Sequence, residues 1–353
     1  MRIKHYQLAG VLMLFLAMMP NITWALYLPV MLAFIVYAMY MTKISSSRMY
    51  ILMPLLGVIL LLSIFIPNTA RYNMLFFLIV LFSLAFSDLI KDSRFLNFFL
   101  DFGSYFILLT ILVGAVLPVG PILQSRPDFD LHLLGFLRQR GIYSEPSNLG
   151  YWSAWLAYLS LINGRSRSLV FYFVALFLAS SAGGFLFFVA LLLTHIQKLK
   201  ARDVFILAIF AAIVFFYLFD QIVGKLSLAD TASLMLRLEN VKLTLDFIQH
   251  QFPYPAGFGP MLLQGEEVGV TSFILLLPKA WGVMVIFGLP LVWKLRAEPL
   301  TILPLLLISA AIGNFWESPI MIVLFYFLLN NRTRRPLFRS SSPAINPHAG
   351  QPT

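Results

Sequence analysis

The sequence contains no cysteine, which excludes a disulfide framework and thiolate metal sites. Charge is scarce: Asp, Glu, Lys and Arg make up 11% of its 353 residues, against about 25% in a soluble domain. No internal repeat stands out, which counts against a transporter assembled from two related halves. No small-residue cleavage site follows the basic, apolar start Met1–Pro20, so that stretch reads as a first spanning helix rather than a removable signal.

What is present is apolar. Hydrophobic residues make up 60% of the chain and the mean hydropathy is +0.87. No soluble core absorbs that much Leu, Phe, Ile and Val, so the composition predicts an all-α, polytopic membrane protein. The net charge of +10 does not predict nucleic-acid binding. Its basic residues stand singly and in pairs between apolar runs, the pattern that sets membrane topology rather than a phosphate-binding stripe.

A spanning helix needs about 20 apolar residues. Twelve spans are expected near residues 6–20, 22–42, 49–67, 72–90, 95–118, 147–163, 168–180, 183–197, 204–220, 271–293, 299–313 and 317–330. The stretch 169–196 also reads as one long helix broken at Ser180–Gly184, and the positive-inside rule decides between the two. With two short helices there and the N-terminus in the cytoplasm, 17 of the 25 Lys and Arg residues fall in cytoplasmic segments, including Lys198, Lys200, Arg202 and the arginines from Arg332 to Arg339. Both termini are then inside. Residues 1–339 form one transmembrane domain, and the Pro- and Ser-rich tail 340–353 is expected to be disordered.

Two connections are long and both fall on the outer side, about 119–145 and 220–270. Long loops in a compact protein are functional or disordered, and these are rich in Phe, Leu and Tyr. The first holds Arg126, Asp128, Asp130, His132, Arg138, Arg140 and Glu145, followed by Pro146 at the expected start of a helix. The plain reading is that Glu145 complements the helix dipole while Arg140 reaches headgroups. The second reads as an amphipathic helix from Thr231 to His250, with Leu234, Leu238, Val241 and Leu245 on its apolar stripe. It ends before the turn YPAGFGP, weak by itself as a phosphate-binding loop, and His250 reads as a surface histidine. Lys279 lies inside an apolar run, a costly place unless it reaches a partner or an aqueous cavity, and Glu317 falls between the last two spans.

Together, Arg138, Arg140, Arg237, Lys242 and Lys279 would attract an anion at the lipid boundary. Arginine's planar fork suits phosphate oxygens, and a lipid-linked pyrophosphate fits that setting. Fixed cations lower the barrier for breaking a glycosyl–pyrophosphate bond, and a carboxylate such as Glu145 or Glu239 would activate an acceptor hydroxyl. No carboxylate or histidine cluster is read at metal spacing, so metal-independent transfer without a cofactor is expected.

The segment GIYSEPSNLGYW resembles the Gly-x-x-x-Glu-Pro-Ser stretch of bacterial O-antigen and exopolysaccharide polymerases, the Wzy-type family. ASSAGGFLFFVALLL (179–193) resembles their small-residue break between two short helices. RLENVKLTLDFIQHQFPYPAGFGP resembles their arginine-bearing helix before a Pro-x-Gly-x-Gly turn, and TSFILLLPKAWGVMVIFG the span after it. The order of the four agrees over residues 135–290. The resemblance implies a GT-C-like, inverting glycosyltransferase of the inner membrane, polymerising undecaprenyl-pyrophosphate-linked repeat units at the periplasmic face. It implies Glu145, Arg140 and Arg237 as catalytic, and Arg138, Arg126, Glu239, Lys242, His250, Lys279 and Glu317 as binding the pyrophosphate or sugar. Membrane lipids, a chain-length regulator and a flippase are the further partners it implies. The alternatives are an O-antigen ligase acting on lipid A core and a transporter of lipid-linked oligosaccharide. A ligase should show a clearer His-based motif, and a transporter charges nearer the bilayer midplane.

Overall fold

The computed structural model of the protein describes residues 5–17, 24–42, 46–116, 132–133, 136–137, 146–179, 181–194, 212, 216, 231–263, 266–268, 270, 272–288, 303–304, 306, 322–324 and 326–327. Its helices are α1 (His5–Ala17), α2 (Trp24–Thr42), α3 (Ser46–Phe65), α4 (Ala70–Leu89, entered through a 3-10 turn Pro67–Thr69), α5 (Ser93–Val116), α6 (Pro146–Ile162), α7 (Ser166–Ala179), α8 (Ala182–Leu193), α9 (Thr231–Gln251) and α10 (Phe273–Trp281). Among the described residues two stretches, Pro67–Ser87 and Ser93–Leu112, are long and apolar enough to cross a membrane. The described part is mostly helical and of membrane-associated character.

The helices form where the apolar runs lie, because a segment in lipid has no water to satisfy its backbone and must bond to itself. Buried hydroxyls on them do the same: Ser83 and Ser87 donate to the Ile79 and Ser83 carbonyls at 2.7 and 2.8 Å, and Thr110 to that of Ile107 at 2.7 Å. Phe34, Phe82, Phe86, Phe95 and Phe99 fill the contacts between α2, α4 and α5.

The structure departs from a purely helical expectation in two short antiparallel hairpins, His132–Leu133 with Phe136–Leu137 and Met261–Leu263 with Glu266–Val268. Both lie in the long connections, where a surface chain satisfies its backbone by local pairing.

Ser166–Ala179 and Ala182–Leu193 are two separate helices, both packed against α6. Ideal Cβ positions on Gly150 and Gly183 would stand 2.4 Å from the Ser181 Cβ and 2.2 Å from the Tyr151 hydroxyl, so α6 and α8 touch at their N-terminal ends. Tyr158 lies 3.4 Å from Thr194, so they also touch at the other end and run parallel. Helix α7 is the return leg. Ser181 makes the reversal, with Oγ accepting the Gly184 N–H at 3.1 Å to cap α8. Arg165, in the α6–α7 turn, ties that end to α5 through Asp101 (3.2 Å) and Asn97 (3.0 Å), and Ser168 donates to Asp101 at 2.7 Å.

Candidate functional site

Helix α9 occupies Thr231–Gln251, where the sequence places it. Of the expected stripe, Leu245 is 43% exposed, Val241 is half-buried, and the side chains of Leu234 and Leu238 lie outside the described residues; Thr244 is buried and Phe247 packs against the core. Thr244 tolerates burial because its hydroxyl donates to the Asn240 carbonyl at 2.6 Å. Glu239, Lys242, Asp246 and His250 are exposed on it. His250 Nδ1 donates to the Asp246 carbonyl at 2.7 Å, closing the last turn, since a carbonyl can only accept.

Helix α9 runs without slack into the turn Phe252–Pro260. The Phe252 N–H donates to the Ile248 carbonyl at 2.8 Å and the Tyr254 N–H to that of Gln251 at 2.9 Å. The turn then closes on the end of α10. The N–H groups of Ala256 and Gly257 donate to the Lys279 and Ala280 carbonyls at 3.1 and 3.0 Å, satisfying acceptors a helix end leaves open. The Phe258 N–H donates to Asn73 Oδ1 of α4 at 3.1 Å. Gly257 has φ +73°, a left-handed conformation that glycine adopts without a Cβ penalty. The Phe258 ring stacks on Phe76, centroids 4.1 Å apart, with Trp281 edge-on to both.

Lys279 lies beneath this turn, 2% exposed. Its ammonium donates to the Gly257 carbonyl at 3.1 Å and to the Gly259 carbonyl. The apolar run tolerates the lysine because two main-chain acceptors meet it. Among the described residues no carboxylate pairs with it. The turn is thus the reverse of a phosphate-cradling loop: its amides at 256–258 are engaged by protein acceptors and its glycine carbonyls face a cation. An anion here has to be met by side-chain cations.

Of the expected site residues, the structure joins Lys279 to the end of α9. It places Glu239, Lys242 and His250 on the exposed side of that helix, and Arg237 in its backbone. Arg126, Arg138, Arg140, Glu145 and Glu317 lie outside the described residues. Within the expected span 271–293, of which residues 271 and 289–293 lie outside the described residues, α10 ends at Trp281, Gly282 has φ +52° and a 3-10 segment follows to Gly288. The cause is close passage of the turn, since a Cβ on Gly282 would sit 2.4 Å from the Pro253 carbonyl, which accepts the Val283 N–H. Sequence reasoning missed Asn73 and Thr69, discussed below. It also passed over Asp128–Phe129–Asp130, an Asp-x-Asp pair two residues before His132; the two aspartates lie outside the described residues. No family model, no curated protein and no solved structure matches the chain.

Proposed function

We propose that the chain is a membrane glycosyltransferase of the polymerase kind, joining oligosaccharide repeat units carried on undecaprenyl pyrophosphate. In this reading it crosses a bacterial inner membrane twelve times, with a GT-C-like arrangement, both termini inside and its working face in the periplasm. The observation that carries the proposal is the junction of α9 with its turn. A helix bearing Arg237 and Lys242 leads directly into a Pro-x-Gly-x-Gly turn whose backbone is fixed by a buried lysine, in the order the four resembling segments require.

The acceptor hydroxyl attacks the anomeric carbon of the donor sugar with inversion, and its proton passes to Glu145. The bond to the pyrophosphate oxygen breaks, and undecaprenyl pyrophosphate leaves with the electron pair. Arg140 and Arg237 oppose that growing charge, with Arg138 and Arg126 holding the phosphates. Lys242, Glu239, His250 and Glu317 line the sugar side, and Lys279 acts through the turn it fixes.

The test is chain growth by Arg138→Ala, Arg140→Ala and the double variant, with protein level measured alongside. The double variant should make no polymer at normal protein level, and Arg→Lys should restore little, because an ammonium cannot reproduce the paired contacts. A fully active double-alanine protein overturns the assignment.

A further inference from the structure

Thr69 and Asn73 are two small polar residues at the head of a long apolar helix, yet the turn after α9 is built against them. Asn73 is fully buried and both ends of its amide are engaged: Oδ1 accepts the Phe258 N–H at 3.1 Å, and Nδ2 donates to Thr69 Oγ1 at 3.1 Å. Thr69 Oγ1 in turn donates to the Ile66 carbonyl at 3.1 Å. A Cβ on Gly257 would stand 2.1 Å from Thr69 Oγ1, and one on Gly259 would stand 3.0 Å from Thr69 Cγ2, so the chain at both glycines lies directly on Thr69. Seven residues beyond Thr69, Phe76 stacks on Phe258. Thr69, Asn73 and Phe76 follow the i, i+4, i+7 spacing of one helical face. Lys279 grips the same turn from α10 through the carbonyls of Gly257 and Gly259. The turn is therefore clamped between two helices, and no slack separates it from α9.

We propose that the N-terminal end of α4 is a seat that fixes this turn, and through it the end of α9, with Asn73 and Thr69 as positioning residues for the lipid-linked pyrophosphate substrate. The proposal rests on the function proposed above. Its physical content is that α9 carries the cations while α4 sets where they stand. A displacement of about 1 Å in a binding constellation costs on the order of a hundredfold.

The chain has no cysteine, so a single Tyr254→Cys, at a position 70% exposed in the turn, takes a nitroxide label without background. In the full-length protein in lipid nanodiscs, Asn73→Ala should mobilise the label. It should also lower kcat/KM for a lipid-linked repeat unit by roughly tenfold to a hundredfold, with most of the loss in kcat, because Arg237 on the same helix meets charge that grows only in the transition state. Asn73→Asp keeps an acceptor for the Phe258 N–H and should restore both readouts. If Asn73→Ala does not fold, Thr69→Val, equal in shape but without an acceptor, gives the same two readouts. An unchanged label spectrum overturns the seat. A mobilised label with unchanged kcat/KM overturns its role in placing substrate. A parent protein that transfers nothing from any lipid-linked donor overturns the proposed function, while the label still decides the seat.

Discussion

Lys279→Met isolates what the buried ammonium does. Methionine keeps an unbranched apolar chain of similar length and removes the donors that meet the Gly257 and Gly259 carbonyls. A hydrogen bond to a charged group contributes about 1.5–3 kcal/mol net, so two give about 3–6 kcal/mol. The lower end is expected, because a loosened turn lets water reach the freed carbonyls. The loss should therefore be about 3 kcal/mol, a large part of the stability of an ordinary domain. A reversible SDS/dodecyl maltoside titration, read by tryptophan fluorescence, measures it, and Trp281 beside the turn reports the local change. A loss under about 0.5 kcal/mol, the size of an ordinary surface substitution, would refute the reasoning. Lys279 would then be a bystander, and the turn would owe its shape to α4 alone.

Three further outcomes are expected. Gly257→Ala forces a side chain into a left-handed conformation, costing about 1–2 kcal/mol before the contact with Thr69 is counted; in a Thr69→Ala background part of the loss should return, and strictly additive losses would contradict the contact. Ser160 is fully buried and its hydroxyl has no partner among the described residues, so Ser160→Ala should stabilise by about 1 kcal/mol in the same titration, and destabilisation would contradict this. Transfer from a lipid-linked donor should persist in excess EDTA; loss of activity restored by a divalent cation would refute metal-independent transfer and bring Asp128 and Asp130 into the site.

The helices were legible because lipid imposes one rule, that each segment satisfy its own backbone, and long apolar runs advertise obedience to it. The reversal at Ser181 was legible because Gly183 and Gly184 permit the close approach to α6 that it needs. The candidate site was legible only in part. That Lys279 must reach a partner or an aqueous cavity followed from its cost in an apolar run, but which atoms meet it depended on carbonyls 22 and 20 residues earlier. Asn73 and Phe258 are 185 positions apart, and no local pattern links them. The change from α to 3-10 helix at Gly282 was not legible, because hydropathy runs on through Gly282 while the distant Pro253 carbonyl packs against it. On α9 the inward position of Thr244, satisfied by its own helix, was not legible, because hydropathy does not mark a hydroxyl residue for burial.

The most direct measurement is a gel of lipid-linked and surface polysaccharide from cells lacking this chain, with and without the chain restored. The account predicts single repeat units on the surface lipid when the chain is absent and a full ladder when it is restored. Full-length polymer stranded on the carrier lipid, or a ladder that does not change, would contradict it.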